Sequence, residues 1–124
     1  HAPRWVFTGS FPHENLDAYR VALEMAALAR KLAEHIPRGD RSLADHLQRA
    51  ASNTVLLLAE GANRRGRPLK HQRFIESRGE CGEVAAAADL LLVYGIGPQE
   101  GAEELKHLAG RVSAMLTRMM ARLT

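Results

Sequence analysis

Five cations fall within ten residues of this chain, Arg64, Arg65, Arg67, Lys70 and Arg73, with His71 beside them and no acid between. Side chains of that kind can contact several phosphates without reading bases, which gives salt-sensitive and weakly specific binding to RNA or DNA. No aromatic residue interleaves the charges, so stacking of single-stranded bases has no platform in this stretch. The plainer alternative is a solvated basic tip between two helices. Arg111, Arg118 and Arg122, with His107, form a second basic line near the C-terminus. Such a line also arises simply because cations suit the C-terminal half of a helix.

Catalytic chemistry has less to work with. Glu60, Glu83 and Asp89 sit among apolar residues, where a carboxylate-bridged metal pair is one conceivable use. A bundle of that type needs a Glu from each of two helices and Glu-x-x-His from two more. Glu104-Leu105-Lys106-His107 is the one such motif, and its neighbours point it outward. Glu60 and Glu83 are therefore expected to form structural ion pairs with arginines such as Arg49 and Arg78, fixing helix register. Cys81 lies among small apolar residues, as a packing cysteine does. The six histidines are scattered without triad or zinc spacing. Asn63-Arg64-Arg65-Gly66-Arg67 lacks the Gly-x-x-x-x-Gly-Lys-Ser/Thr pattern of a phosphate-binding loop. No enzyme activity, cofactor or metal is predicted.

The elements that must position these residues follow from composition and period. At 124 residues with 46% apolar content the chain can bury a core, and 5% aromatics with abundant Ala and Leu favour helix over sheet. A formal charge of +3 is mildly basic. One cysteine permits no internal disulfide, so a reducing, cytoplasmic setting is expected. No apolar run approaches a membrane span. The start at His1 rather than Met reads as a processed end.

Residues 1–13 read as an irregular arm carrying Trp5, Val6, Phe7 and Phe11 among Pro3, Gly9 and Pro12, docking on a neighbouring subunit or on its own bundle. Residues 14–124 read as a bundle of four helices, at about 15–36, 41–61, 68–94 and 98–123. Asn15 and Asp40 are candidate N-caps, and Pro37 with Gly39 ends the first helix. Gly61 before Pro68, and Gly95 before Pro98, give Gly-stop, Pro-start punctuation. Amphipathic helices joined by short loops predict an all-α, antiparallel up-down-up-down four-helix bundle. Val55, Leu56, Leu57 and Leu58 are apolar all round the helix, which one bundle cannot cover, so a subunit interface is expected there. Gly79 and Gly82 in mid-helix suggest the close approach of another backbone or a local kink.

The block Leu47-Gln48-Arg49-Ala50-Ala51-Ser52, then Leu58-Ala59-Glu60-Gly61, a basic loop, Arg73-Phe74-Ile75, and Arg78-Gly79 with Glu83, resembles a bacterial four-helix-bundle family. Its members are encoded in intervening sequences of large-subunit rRNA genes, and a divergent relative is the accessory protein of diversity-generating retroelements. The likeness runs from about Phe11 to Leu123. It implies an antiparallel bundle assembled into a homopentameric ring. In the retroelement relative it also implies basic surfaces that bind nucleic acid and a reverse transcriptase. The sequence departs from the pattern with Gly79-Glu80 where Gly-Ser is usual, and with Leu57-Leu58 where Asn-Ile is usual.

Two functional classes follow. One is a non-catalytic, oligomeric accessory factor that contacts nucleic acid through the Arg64–Arg73 tip, where several copies on a ring add avidity. The other is a scaffolding ring that binds a protein partner without touching nucleic acid.

Overall fold

Four helices and no strand make up the described residues, 5–124, of the computed structural model. The first four residues of the arm, with the His1 start and Pro3, lie outside them. The helices are α1 (Asp17–Ala33), α2 (Arg41–Asn63), α3 (Arg67–Tyr94) and α4 (Gln99–Ala121). Short 3-10 turns at Pro12–Asn15 and Arg38–Asp40 precede α1 and α2. Each helix packs on two others: α1 on α2 and α4, α3 on α2 and α4. The result is a four-helix bundle.

Helix ends follow local chemistry. Leu16, not Asn15, is the N-cap of α1, and neither it nor Asp40 caps through its side chain. Past Ala33 the chain winds tighter, with His35 N donating to Leu32 O at 3.0 Å and Ile36 N to Ala33 O at 3.1 Å. Pro37 then disfavours any further helical turn. Gly95 ends α3 at φ 66. Ile96 N reaches back to Leu91 O at 2.9 Å and Gly95 N to Leu92 O at 3.3 Å, satisfying carbonyls that the helix leaves open.

The core is built from Met25 of α1, Leu47 and Leu58 of α2, Val84 and Leu91 of α3, and Leu105, Val112 and Leu116 of α4. Alanines such as Ala22, Ala29, Ala50, Ala88 and Ala109 lie between them and let the helices approach. Buried polar side chains use spare backbone carbonyls. Thr54 Oγ1 donates to Ala50 O at 2.7 Å, Ser77 Oγ to Thr54 O at 2.8 Å, and Cys81 Sγ to Ala109 O at 3.2 Å. Among the described residues no buried side-chain nitrogen or oxygen lacks a partner.

Gly61 does not stop α2, which continues to Asn63. It is buried in the last turn, and a Cβ there would stand 2.6 Å from Cε1 of the Phe74 ring. Glycine is thus required by a ring from α3 rather than by a left-handed turn.

The arm folds onto its own bundle. Its 3-10 turn packs against α2 and α1. Glu14 holds the arm together, accepting from Thr8 N at 2.8 Å, Thr8 Oγ1 at 3.0 Å and Phe11 N at 3.1 Å. Phe7 and His13 both meet Tyr19 edge-on, and the Arg20 guanidinium lies 4.8 Å above the Phe7 ring.

Candidate nucleic-acid interface

The hairpin between α2 and α3 carries the five clustered cations, but they are not equivalent. Arg64 pairs with Glu60 one turn earlier, Nη2 to Oε1 at 2.6 Å. Arg73 is held between Glu60 at 3.4 Å and Glu76 at 2.6 Å. The Glu76 bond raises the Arg73 pKa, while Gln72 and Arg73 donate to the Glu76 carboxylate and hold its pKa below the usual carboxylate range. Lys70 Nζ donates to Ala62 O at 2.8 Å and Gly61 O at 3.3 Å, serving the open carbonyls at the end of α2. Arg65 and Arg67 are exposed, and among the described residues neither has a carboxylate within ion-pair distance. The unneutralised charge is therefore concentrated at the apex of the loop.

Part of the second basic line joins the same end. Arg118 and Arg122 line a shallow cleft of about 250 Å³ with Asn15, Asp17 and Met119, where the start of α1 meets the end of α4. Arg78 Nη1, nearer the middle of α3, donates to Thr117 Oγ1 at 3.1 Å. Arg111 is exposed farther along α4. At the opposite end, Glu103 lies beside Gly95 and Ile96, while a Cβ on Gly101 would meet Leu32 Cδ2 at 2.7 Å. The α2–α3 end thus gathers Arg64, Arg65, Arg67, Arg118 and Arg122, while the opposite end holds the acidic start of α4 together with Arg38 and Arg41.

The arm also reaches the basic end, which sequence reasoning missed. His13 Nδ1 lies 2.7 Å from Asn63 Nδ2, and Asn63 immediately precedes Arg64. Glu14 is the residue that makes this possible. A Glu three residues after Phe11, at the start of a short turn opened by Pro12, was the signal available for it.

The other expected sites are placed as follows. Glu60 lies with Arg64 and Arg73, not with Arg49 or Arg78. Arg78 is directed to α4 instead, and among the described residues no ion pair joins Glu83 to an arginine. The neighbouring Glu80 carboxylate raises the Glu83 pKa, while His46 and Arg49 pull the other way. Asp89 pairs with Lys106 at 2.7 Å. Val55 and Leu58 belong to the core of the single chain. The apolar stretch expected at a subunit interface thus narrows to exposed Leu56 and half-buried Leu57, since α1, α3 and the arm all pack on α2 within the single chain. Gly79 and Gly82 face open space, with nothing within 4 Å of a Cβ at either position.

Burial pushes the Cys81 thiol up to about 11, with a backbone bond from Ser113 opposing, so the thiol is poorly suited to act as a nucleophile. No group of three or more His, Cys, Asp or Glu among the described residues is placed to hold a metal ion. No described helix is long and apolar enough to cross a membrane.

Fold and charge together define a helical-bundle protein with a basic end built on a tight α2–α3 hairpin. More specifically, the chain belongs to the family described as 23S rRNA-intervening sequence protein, whose profile matches residues 14–118. The match spans the bundle from Glu14 into the last turns of α4 and includes Glu60, Gly61 and Phe74. Comparison with curated proteins finds no match.

Proposed function

We propose that the protein is a non-catalytic, oligomeric nucleic-acid-binding accessory factor that grips phosphates with the basic end of its bundle. The observation that carries this reading is the charge at the apex of the α2–α3 loop. Arg65 and Arg67 project there without carboxylate partners, and Arg118 and Arg122 sit at the same end.

An antiparallel up-down-up-down order is supported by how residues meet across helices. Asn53 bonds Glu80 and Thr54 accepts from Ser77, while Cys81 bonds Ala109 and Asp89 pairs with Lys106, so numbers rise along one helix as they fall along the next. Assembly into a ring, a pentamer by the family resemblance, is supported by exposed Leu56, Leu90 and Val93 and by the open space over Gly79 and Gly82. Those exposed apolar side chains equally favour a second reading, a scaffolding ring that docks a protein partner such as a reverse transcriptase.

Salt-dependent binding to RNA and DNA separates the two. The Arg65→Glu/Arg67→Glu protein should bind far more weakly and show a shallower salt dependence, the slope falling by roughly 0.7–0.9 for each phosphate it no longer neutralises. Unchanged binding, or none at low salt, removes the first reading. Light scattering tests the ring directly, and a monomer mass overturns it.

A further inference from the structure

In the sequence Phe11 is some fifty positions from the loop cations, and the fold removes that separation. Phe11 stacks on His13, with ring centroids 5.6 Å apart and planes 25° from parallel. His13 in turn touches Asn63, the last residue of α2 and the one before Arg64. A large aromatic side chain, 56% exposed, therefore stands at the same corner as Arg65 and Arg67.

We propose that this corner binds a single-stranded polynucleotide, one base stacking on the outer face of Phe11 while Arg65 and Arg67 hold neighbouring phosphates. Three features favour that ligand. His13 stacks on the Phe11 ring, and more than half of the Phe11 side chain stays exposed. Glu14 fixes the Phe11 backbone through its N–H and ties Thr8 to the same carboxylate, so the platform is ordered before any ligand arrives. The nearby charge is supplied by arginines without carboxylate partners. A duplex keeps its bases stacked inward and cannot offer a face to Phe11. Stacking and phosphate contacts are indifferent to base and sugar, so RNA and DNA strands bind alike.

The inference rests on the phosphate-contact reading and specifies its ligand. Fluorescence anisotropy of the full chain tests it with short labelled adenine strands of RNA and DNA, a duplex, and an abasic strand of equal charge. The Phe11→Ala, Phe11→Tyr and Arg65→Glu/Arg67→Glu proteins are compared with the parent. Phe11→Ala should weaken binding of the base-bearing strands by about 5- to 100-fold. It should leave the abasic strand and the salt slope unchanged, and Phe11→Tyr should retain the parent affinity. Trp5 emission, which follows the arm through its edge-on contact with Phe7, checks that Phe11→Ala keeps the arm docked. Equal binding of abasic and base-bearing strands, or a duplex bound as tightly as a single strand, overturns the stacking and leaves the phosphate reading standing. Loss of every interaction at low salt overturns both and leaves the surface to a protein partner.

Discussion

Replacing Gly61 with Ala tests whether the α2–α3 hairpin is set by a ring against a backbone. The added methyl would lie 2.6 and 2.7 Å from Cε1 and Cδ1 of Phe74 and 3.2 Å from Cβ of Arg73. Carbon atoms settle at about 3.5–4.0 Å, so the ring must retreat by about an ångström. Phe74 is 4% exposed, which makes its retreat an intrusion into packed core. Overpacking of that kind costs about 1–3 kcal/mol. Against it stands the helix preference of Ala over Gly, about 0.5–1 kcal/mol and less near a helix end. The net expectation is a loss of about 1 kcal/mol, or a fall in Tm of about 3–5 °C. Gly110→Ala is the matched reference, since Gly110 is exposed in α4 with nothing within 4 Å of its Cβ. It should gain about 0.5–1 kcal/mol. Melts and urea titrations followed by helical circular dichroism, at one protein concentration, measure both. In the Gly61→Ala background, Phe74→Leu should cost less than it does alone, because the shorter side chain gives the methyl room. A Gly61→Ala protein as stabilised as Gly110→Ala, or strict additivity with Phe74→Leu, would refute the contact.

Removing Glu60 should uncouple stability from binding. Glu60→Gln releases Arg64 and one partner of Arg73, costs less than about 1 kcal/mol for so exposed a pair, and strengthens nucleic-acid binding in the salt titration. Weaker binding would count against the basic end as the site. For Cys81 the raised pKa means that the native state prefers the thiol, so stability falls as pH rises from the ordinary value near 9.0 through about 11. Cys81→Ser, melted across that range, should lose this slope, and thiol reagents should modify the native parent far more slowly than the urea-unfolded chain. Glu14 has its pKa lowered, first by the Thr8 backbone bond, so its contribution is present above the ordinary carboxylate pKa and is lost as pH falls through the depressed value. Trp5 emission should report release of the arm on acidification, and Glu14→Gln should release it at neutral pH.

Period and punctuation made the four helices readable, because amphipathic stripes and Gly-Pro breaks are local signals. The same local view misassigned Gly61. It stands before a loop, where a helix stop is the obvious use, and the Phe74 ring that explains it comes from the next helix. Val55 and Leu58 show a related limit. An apolar run reveals that several faces must be covered, but the elements that pack on α2 are α1, α3 and the arm, which no window around residue 57 contains. The cations of the tip were legible as a group and their division was not. Which ones are neutralised depends on Glu60 and Glu76 lying one turn away on two different helices, and on open carbonyls within reach of Lys70.

That division gives the acid at position 60 a specific use. The loop from Arg64 to Gly66 is three residues long, and close packing of Phe74 on Gly61 holds the two helix ends together. Five cations gathered there would repel one another and oppose the closure. Glu60 and Glu76 quench the two arginines that flank the helix contact, and the lysine is absorbed by carbonyls that needed a donor in any case. What remains is a pair of exposed arginines, Arg65 and Arg67, without carboxylate partners among the described residues. The hairpin can therefore be tight and positively charged at once. The Glu60–Gly61 pair with Phe74 is the part that makes those two properties compatible.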